Sequence, residues 1–290
     1  MILRSMLFAP GNVSRRIEKA LTLEADSIIL DLEDSVPITE KEESRKNVVE
    51  WLKKPRSAIG YVRVNALSTG LTIDDLDAVI TSSIDGIMLT KVETATDIVK
   101  VDWYISFLEE KYSLEKGSID LIPLVENAKG IHNAYDIART SSRVKRLCFG
   151  AIDYVADIGV KFTDDTAELF YARSRLVNIS KAADLEPPID TVYPDIKNLE
   201  GLEKDARMAC QLGFQGKLVL HPDQIAPINK IFSPSEDDIT FARKVIEAFE
   251  KAEAEGRAAI TLESGKFIDY PVVKNARRTL NLAEKCARDN

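Results

Sequence analysis

Residues 119–140 read IDLIPLVENAKGIHNAYDIART. The first eight, IDLIPLVE (119–126), form a nearly continuous apolar run that ends in an acid. Continuous runs, as opposed to strict apolar/polar alternation, suit strands buried on both faces. The next fourteen, NAKGIHNAYDIART (127–140), have helical spacing, with Asn127 placed to cap the first turn. The unit is a buried strand followed by a surface helix. Seven more apolar runs of the same kind occur, at SMLFAPG (5–11), SIILDL (27–32), GYVRVN (60–65), GIMLTK (86–91), RLCFGAID (146–153), IDTVY (189–193) and GKLVLH (216–221). The intervals carry helical patterns: SRRIEKALTLEA (14–25), TEKEESRKNVVEWLKK (39–54), TIDDLDAVITS (72–82), ETATDIVKVDWYISFLEEKY (93–112), TAELFYARSRLVNISKAADL (166–185), NLEGLEKDARMACQLG (198–213) and PDQIAPINKIF (222–232). Eight strands, each followed by a helix, predict a (β/α)8 TIM barrel. An open doubly wound sheet shares the alternation, but no G-x-G-x-x-G follows the first strand.

Beyond Phe232 the alternation stops. SEDDITFARKVIEAFEKAEAEG (235–256) reads as a long helix, AAITLESGKFIDYP (258–271) as two short extended segments around a glycine, and VVKNARRTLNLAEKCARD (272–289) as a last helix. The expected division is a barrel over 1–232 and an extension over 233–290, read as a lid, an oligomerisation arm or a packing extension.

Composition narrows the class. The chain has 290 residues, with 39 Lys and Arg against 47 Asp and Glu, a net charge of −8. That balance argues against a nucleic-acid partner, although a few local cations still bind a small anion. No stretch approaches the ~18–20 apolar residues of a membrane span, and MILRSMLFAPGN lacks a signal-peptide cleavage pattern. The expectation is a soluble, cytoplasmic protein. Cys148, Cys210 and Cys286 are too few and scattered for a disulfide framework or a cysteine zinc site. With only His132 and His221, a metal would be held by carboxylates, which favours a hard cation such as Mg2+.

In a barrel, chemistry gathers where the strands end and the βα loops begin. The predicted strand ends carry Asp31, Glu33 and Asp34, then Arg63 and Asn65, Lys91, Glu126, Asp153 and His221. Each alone reads equally as a solvated loop residue. Together, like charges this close cost free energy unless a cation or ligand offsets them. Glu126 and Asp153 are placed to share one Mg2+, and Arg63 to clamp a substrate oxygen. In the first loop, PGN (10–12) precedes Arg15 and Lys19, four apart on one helix face with Arg16 beside it. This is either a phosphate site or a solvated surface. His132 reads as a packing or surface residue. His221 reads either as a ligand contact or as a loop hydrogen-bonder.

The blocks RSMLFAPGN, ILDLEDSV, YVRVNALSTGL, LIPLVENAKGI, FGAIDYVADIG, LFYARSRLVNISKAADL, LVLHPDQI and FIDYPVV occur in this order. With them the chain resembles the citrate lyase β-subunit-like branch of the HpcH/HpaI aldolase superfamily. DTVYPDI, FQGKLVLHPDQI and IFSPS make it most similar to the citramalyl-CoA lyase group. The resemblance implies a TIM barrel with a C-terminal lid, assembled as a homotrimer or homohexamer. It implies Mg2+ on Glu126 and Asp153, and Arg63 at the substrate oxyanion. Phe8, Arg15 and Lys19 would contact CoA, and Leu220 and His221 would border the thioester. Asp269 would be an acid/base carboxylate reaching a neighbouring subunit's site. The implied reaction cleaves (S)-citramalyl-CoA to pyruvate and acetyl-CoA. The alternatives are malyl-CoA or β-methylmalyl-CoA lyase (with glyoxylate as the oxo acid), malyl-CoA thioesterase, malate synthase-type condensation and the citryl lyase β subunit. A non-catalytic CoA-binding scaffold is the remaining class, and retention of Arg63, Glu126, Asp153 and Asp269 weighs against it.

Overall fold

The computed structural model describes residues 2–288, apart from Ser82, Asp164 and Glu263. The predicted helix end at Ser82, Glu263 within the extended tail segments and the last helix's end at Asp289 lie outside the described residues. Eight apolar runs become eight parallel strands that close into a barrel in chain order. They are β1 (Ser5–Pro10), β2 (Ser27–Asp31), β3 (Ile59–Val64), β4 (Gly86–Leu89), β5 (Asp120–Val125), β6 (Cys148–Phe149), β7 (Ile189–Asp190) and β8 (Gly216–Val219). Every residue of β2, β4, β5 and β8 is buried. One face of each strand meets the barrel interior and the other meets the helices, which is why the runs are continuous. Inside, Met6, Ile29, Tyr61, Met88, Ile122 and Leu218 pack together.

The helices between strands are α1 (Ser14–Ala20), α2 (Lys41–Leu52), α3 (Thr72–Val79), α4 (Ala95–Lys111), α5 (Ala128–Arg139), α6 (Ala151–Asp157), α7 (Phe170–Ala182) and α8 (Leu199–Leu212), with α9 (Ile225–Ile231) after β8. One expectation is corrected here. The run RLCFGAID (146–153) is not a strand throughout: pairing stops at Phe149, and Asp153 sits in the first turn of α6. Gly150 makes the break, and Ala151 N–H donates to Thr191 Oγ1 at 2.8 Å, committing the chain to a helix.

Residues 3–229 make one compact unit, and the chain from Lys230 onward makes another. The second contains α10 (Glu236–Ala254), a hairpin of β9 (Ile260–Thr261) and β10 (Phe267–Ile268), and α11 (Tyr270–Arg288). Its core is Ala242, Val245, Phe249, Ile268, Val273 and Ala276. Ser235 and Asp238 form a capping box that starts α10. Among the described residues, no helix is long and apolar enough to cross a membrane.

Charges sit inside two of the shortest strands. Asp190 on β7 is the register partner of Lys217 on β8. Lys217 Nζ lies 2.5 Å from Asp190 Oδ2 and 2.6 Å from Asp205 Oδ2. Arg173 on α7 donates through Nε and Nη2 to both Asp190 oxygens at 2.9 Å, and its Nη1 is 2.8 Å from Asp205 Oδ1. All four side chains are at most 5% exposed. Two cations and two anions thus cancel while locking α7 and α8 to β7 and β8. Burial by itself would raise the Asp205 pKa, but Lys217 and Arg173 hold it well below the ordinary carboxylate value. A depressed folded pKa gives stability that is present above the unfolded value and lost as pH falls through the folded one. Replacing Lys217 with Met leaves excess buried negative charge, and the expected loss at pH 7 is about 3–5 kcal/mol. Urea denaturation across pH should show that gap narrowing below roughly pH 4, where Asp205 of the wild type loses its advantage.

Candidate active site

The barrel interior is lined by alternate residues of each strand, so the residue two beyond the last core side chain comes up at the C-terminal rim. After Ile29 comes Asp31, after Tyr61 comes Arg63, and after Leu124 comes Glu126. Register places Asp31 directly opposite Arg63. Arg63 Nε donates to Asp31 Oδ1 and Nη2 to Oδ2, each at 2.7 Å. The Phe8 ring lies under the guanidinium, 4.7 Å from Cζ. Asp31 also accepts from Glu33 N, Ser35 N and Ser35 Oγ. Burial would raise its pKa, yet Arg63 and these donors bring it below the ordinary value.

The loop after β2 is tied down from beneath. Lys41 Nζ donates to the carbonyls of Leu32 and Glu33, both at 2.7 Å, and to Asn65 Oδ1 at 2.8 Å. Asp75 accepts from both the backbone and side-chain nitrogens of Asn65. Lys41 and Asp75 are structural parts of the site that sequence reasoning missed. Each sits in a helix pattern, where a charged residue reads as solvated. The loop delivers Glu33, whose Oε2 is 3.0 Å from Arg63 Nη1 and whose Oε1 pairs with Lys91 Nζ.

Glu126 is a strongly perturbed carboxylate. It is 3% exposed. Burial, then the charges of Asp153 and Glu33, push its pKa up to about 8. Its Oε1 accepts the Lys91 backbone N–H at 2.7 Å. Lys91 adopts φ 51°, a left-handed conformation uncommon outside glycine, which carries local strain. Gly150 closes the other side: a Cβ there would lie 2.6 Å from both Cβ and Oε2 of Glu126. Asp153 reaches the same place from α6. Glu126, Asp153, Lys91, Thr90, Leu67 and Asp157 help line a cavity of about 420 Å3.

Two like charges around a buried carboxylate are offset well by a bound cation. The donors are hard oxygens, which suits Mg2+. Among the described residues, no group of three or more His, Cys, Asp or Glu is poised for one ion. Glu126 and Asp153 would hold a Mg2+ by two carboxylates, with water and ligand oxygens to fill the remaining positions, as that ion prefers. Arg63 keeps Nη1 and Nη2 hydrogens beyond those given to Asp31, so a ligand oxygen has donors to meet.

The other predicted residues have local contacts of their own. Arg15, Arg16 and Lys19 are exposed on α1, which has only seven residues and no capping side chain. The cations are present there, but a built helix-terminus anion site is not. His132 is exposed on α5. His221 Nδ1 accepts Asp223 N–H at 3.3 Å, and the residue caps a short 3-10 turn over Pro222–Gln224. Leu220 is 37% exposed, and its N–H donates to Gln224 Oε1. Asp269 belongs to the second compact unit, where its Oδ1 accepts Val272 N–H at 3.2 Å in the first turn of α11.

The sequence matches the HpcH/HpaI aldolase/citrate lyase family over residues 4–222. Citrate lyase subunit beta of Escherichia coli K12 is 35% identical over 283 residues, covering 97% of this chain and 93% of that protein. Mitochondrial citramalyl-CoA lyase of Homo sapiens is 35% identical over 297 residues, covering 97% and 85%. Among solved structures, CitE of Mycobacterium tuberculosis in complex with magnesium, acetoacetate and coenzyme A has a TM-score of 0.79 at 28% identity, covering 97% of this chain and 98% of that one.

The close approach of Gly150 to Glu126 gives a test of the metal reading that leaves both carboxylates in place. Gly150→Ala should displace the Glu126 carboxylate and weaken Mg2+ binding by about 10–100-fold, as for other residues that orient a ligand. Calorimetric Mg2+ titration with an unchanged affinity would show that Glu126 does not hold the ion.

Proposed function

The chain belongs to the HpcH/HpaI aldolase/citrate lyase family, and on that premise we propose that it is a Mg2+-dependent carbon–carbon lyase that cleaves (S)-citramalyl-CoA to pyruvate and acetyl-CoA. The observation that carries the reading is the buried Glu126 beside Asp153, facing a cavity at the strand ends near an arginine already held in place. Mg2+ bound by that pair would supply Lewis-acid stabilisation of developing oxygen charge. Arg63 directs its remaining N–H groups at the oxygen that becomes the pyruvate ketone. Because Asp31 and Glu33 hold the guanidinium in advance, little reorganisation is needed when charge appears. The carbon–carbon bond electrons pass to the acetyl carbon as an enolate. The proton lost from the hydroxyl balances the one gained at that carbon, so cleavage consumes no water. Asp269 is our candidate for the acid that protonates the enolate. Phe8, Arg15 and Lys19 are assigned to CoA, with Leu220 and His221 beside the thioester.

The substrate's extra methyl group is worth only about 1–3 kcal/mol of discrimination, so product identification decides between close substrates. Citramalyl-, malyl-, β-methylmalyl- and citryl-CoA should be compared with Mg2+ present and removed. The largest kcat/KM is expected for (S)-citramalyl-CoA, with pyruvate as the product. Glu126→Gln should abolish the Mg2+-dependent rate. A preference for another thioester moves the substrate assignment within the lyase class. Absence of Mg2+-dependent release of the short acyl-CoA from all four (acetyl-CoA, or propionyl-CoA from the β-methylmalyl thioester) removes the class itself.

We also assign Asp269 to the site of a neighbouring subunit in a homotrimer or homohexamer. Inactive Arg63→Ala and Asp269→Ala subunits, mixed under conditions that allow exchange, should form hybrids in which some sites hold both residues. Part of the activity should return. Verified exchange with no recovery, or full activity in a monomer, excludes a shared site.

A further inference from the structure

In the proposed cleavage the substrate hydroxyl loses a proton, while Asp269 is assigned to the opposite end of the step, where the enolate gains one. Few groups at the rim are placed to take the hydroxyl proton. Glu126 and Asp153 would be committed to the cation. Asp31 Oδ1 already accepts from Glu33 N and Arg63 Nε, and its Oδ2 from Ser35 N, Ser35 Oγ and Arg63 Nη2. Asp34 is exposed, 3.7 Å from Lys91 Nζ. Glu33 differs from all of these. It is 4% exposed, and among the described residues no group donates a hydrogen bond to its Oε2. That oxygen lies 3.0 Å from Arg63 Nη1, a contact of charge without a hydrogen bond. A buried acceptor left without a donor is costly, and its presence calls for a functional reason.

The neighbours of Oε2 supply that reason. Arg63 keeps N–H groups on Nη1 and Nη2 for a ligand oxygen. A hydroxyl bonded to them comes beside Oε2, and its own proton then has the carboxylate as acceptor. The rest of Glu33 is fixed. Its Oε1 pairs with Lys91 Nζ, and Lys41 Nζ donates to the carbonyls of Leu32 and Glu33. Lys91 in turn lines the cavity that Glu126 and Asp153 face. Burial outweighs Arg63 and Lys91 and leaves the Glu33 pKa above the ordinary carboxylate value, which favours proton uptake. We propose that Glu33 is the general base of the cleavage and takes the substrate's hydroxyl proton at Oε2. The proposal rests on the lyase reading. The O–H electron pair becomes the second bond of the pyruvate ketone, and the carbon–carbon pair passes to the acetyl carbon as the enolate, which takes its proton from Asp269. Glu33 ends protonated and Asp269 ionised. Glu33 then loses one proton to water and Asp269 gains one, so no further reactant is consumed.

The test separates proton transfer from the bracing of Arg63. Glu33→Gln keeps an oxygen for Arg63 Nη1 and loses the capacity to take a proton. Its kcat for (S)-citramalyl-CoA should fall at least about 100-fold. Mg2+-dependent pyruvate binding, which reports the position of Arg63, should stay within about threefold of the wild type by calorimetry. Glu33→Ala leaves the loop fastened through its backbone carbonyls to Lys41. That variant should regain part of its rate with added formate or acetate, and none with chloride at the same ionic strength. A Glu33→Gln rate within about tenfold of the wild type, pyruvate affinity lost in step with kcat, or no rescue by either carboxylate would each overturn the assignment. The wild type measured alongside keeps the two readings apart: if it cleaves and Glu33→Gln cleaves as well, only the base is wrong, whereas a wild type inactive on all four thioesters removes the lyase reading and the base with it.

Discussion

The rim of the barrel is organised around the bidentate contact between Arg63 and Asp31. Both side chains come from adjacent strands at the same register level, so the barrel's own hydrogen-bond ladder sets their alignment. Burial penalises each charge, and the pairing outweighs that penalty in both: Asp31 titrates below its ordinary value and Arg63 above. A buried ion pair is a poor route to stability when compared with apolar packing. Here it fixes the direction of a guanidinium at the mouth of a cavity. Phe8 stacked on it, Glu33 beside it and Ser35 bonded to Asp31 hold that direction without needing a ligand.

The same surroundings give the acidic residues different conditions. Asp31 is surrounded by donors and stays ionised. Glu126 has one backbone donor and lies near the charges of Asp153 and Glu33, so its neutral form is favoured when no cation is near. Local geometry sustains the contrast. Lys91 accepts a strained backbone to aim its N–H at Glu126, and Gly150 removes the Cβ that would occupy the carboxylate's space. The discrimination between acids on the same barrel rim therefore comes from backbone placement as much as from charge.

Elsewhere the barrel uses buried charge for closure. β6 and β7 have two residues each, and one register pair joins them. The Arg173, Asp190, Asp205 and Lys217 quartet ties helices and strands together next to this weakest stretch of the ladder. Its net neutrality and near-complete pairing make the arrangement tolerable in a region of low dielectric constant.

The eight-fold alternation and the rim positions of Asp31, Arg63, Lys91 and Glu126 were readable from residue order. Burial on both faces writes itself into a strand as a continuous apolar run, and a charge at the end of such a run stands out. The two-residue β6 was not readable, because Gly150 and a hydrogen bond from Ala151 to Thr191, forty residues away, decide where the strand stops. Nor was the role of Lys41 readable: its three acceptors come from the loop after β2 and from β3's end, while its own neighbours read as a solvated helix. Asp190 and Lys217 carry charge inside buried strands, and it is the tertiary fold that brings Arg173 of α7 and Asp205 of α8 to them. Local periodicity records which face of an element is buried. It holds no record of which distant group meets a given charge, since that depends on how the closed barrel brings separate elements together.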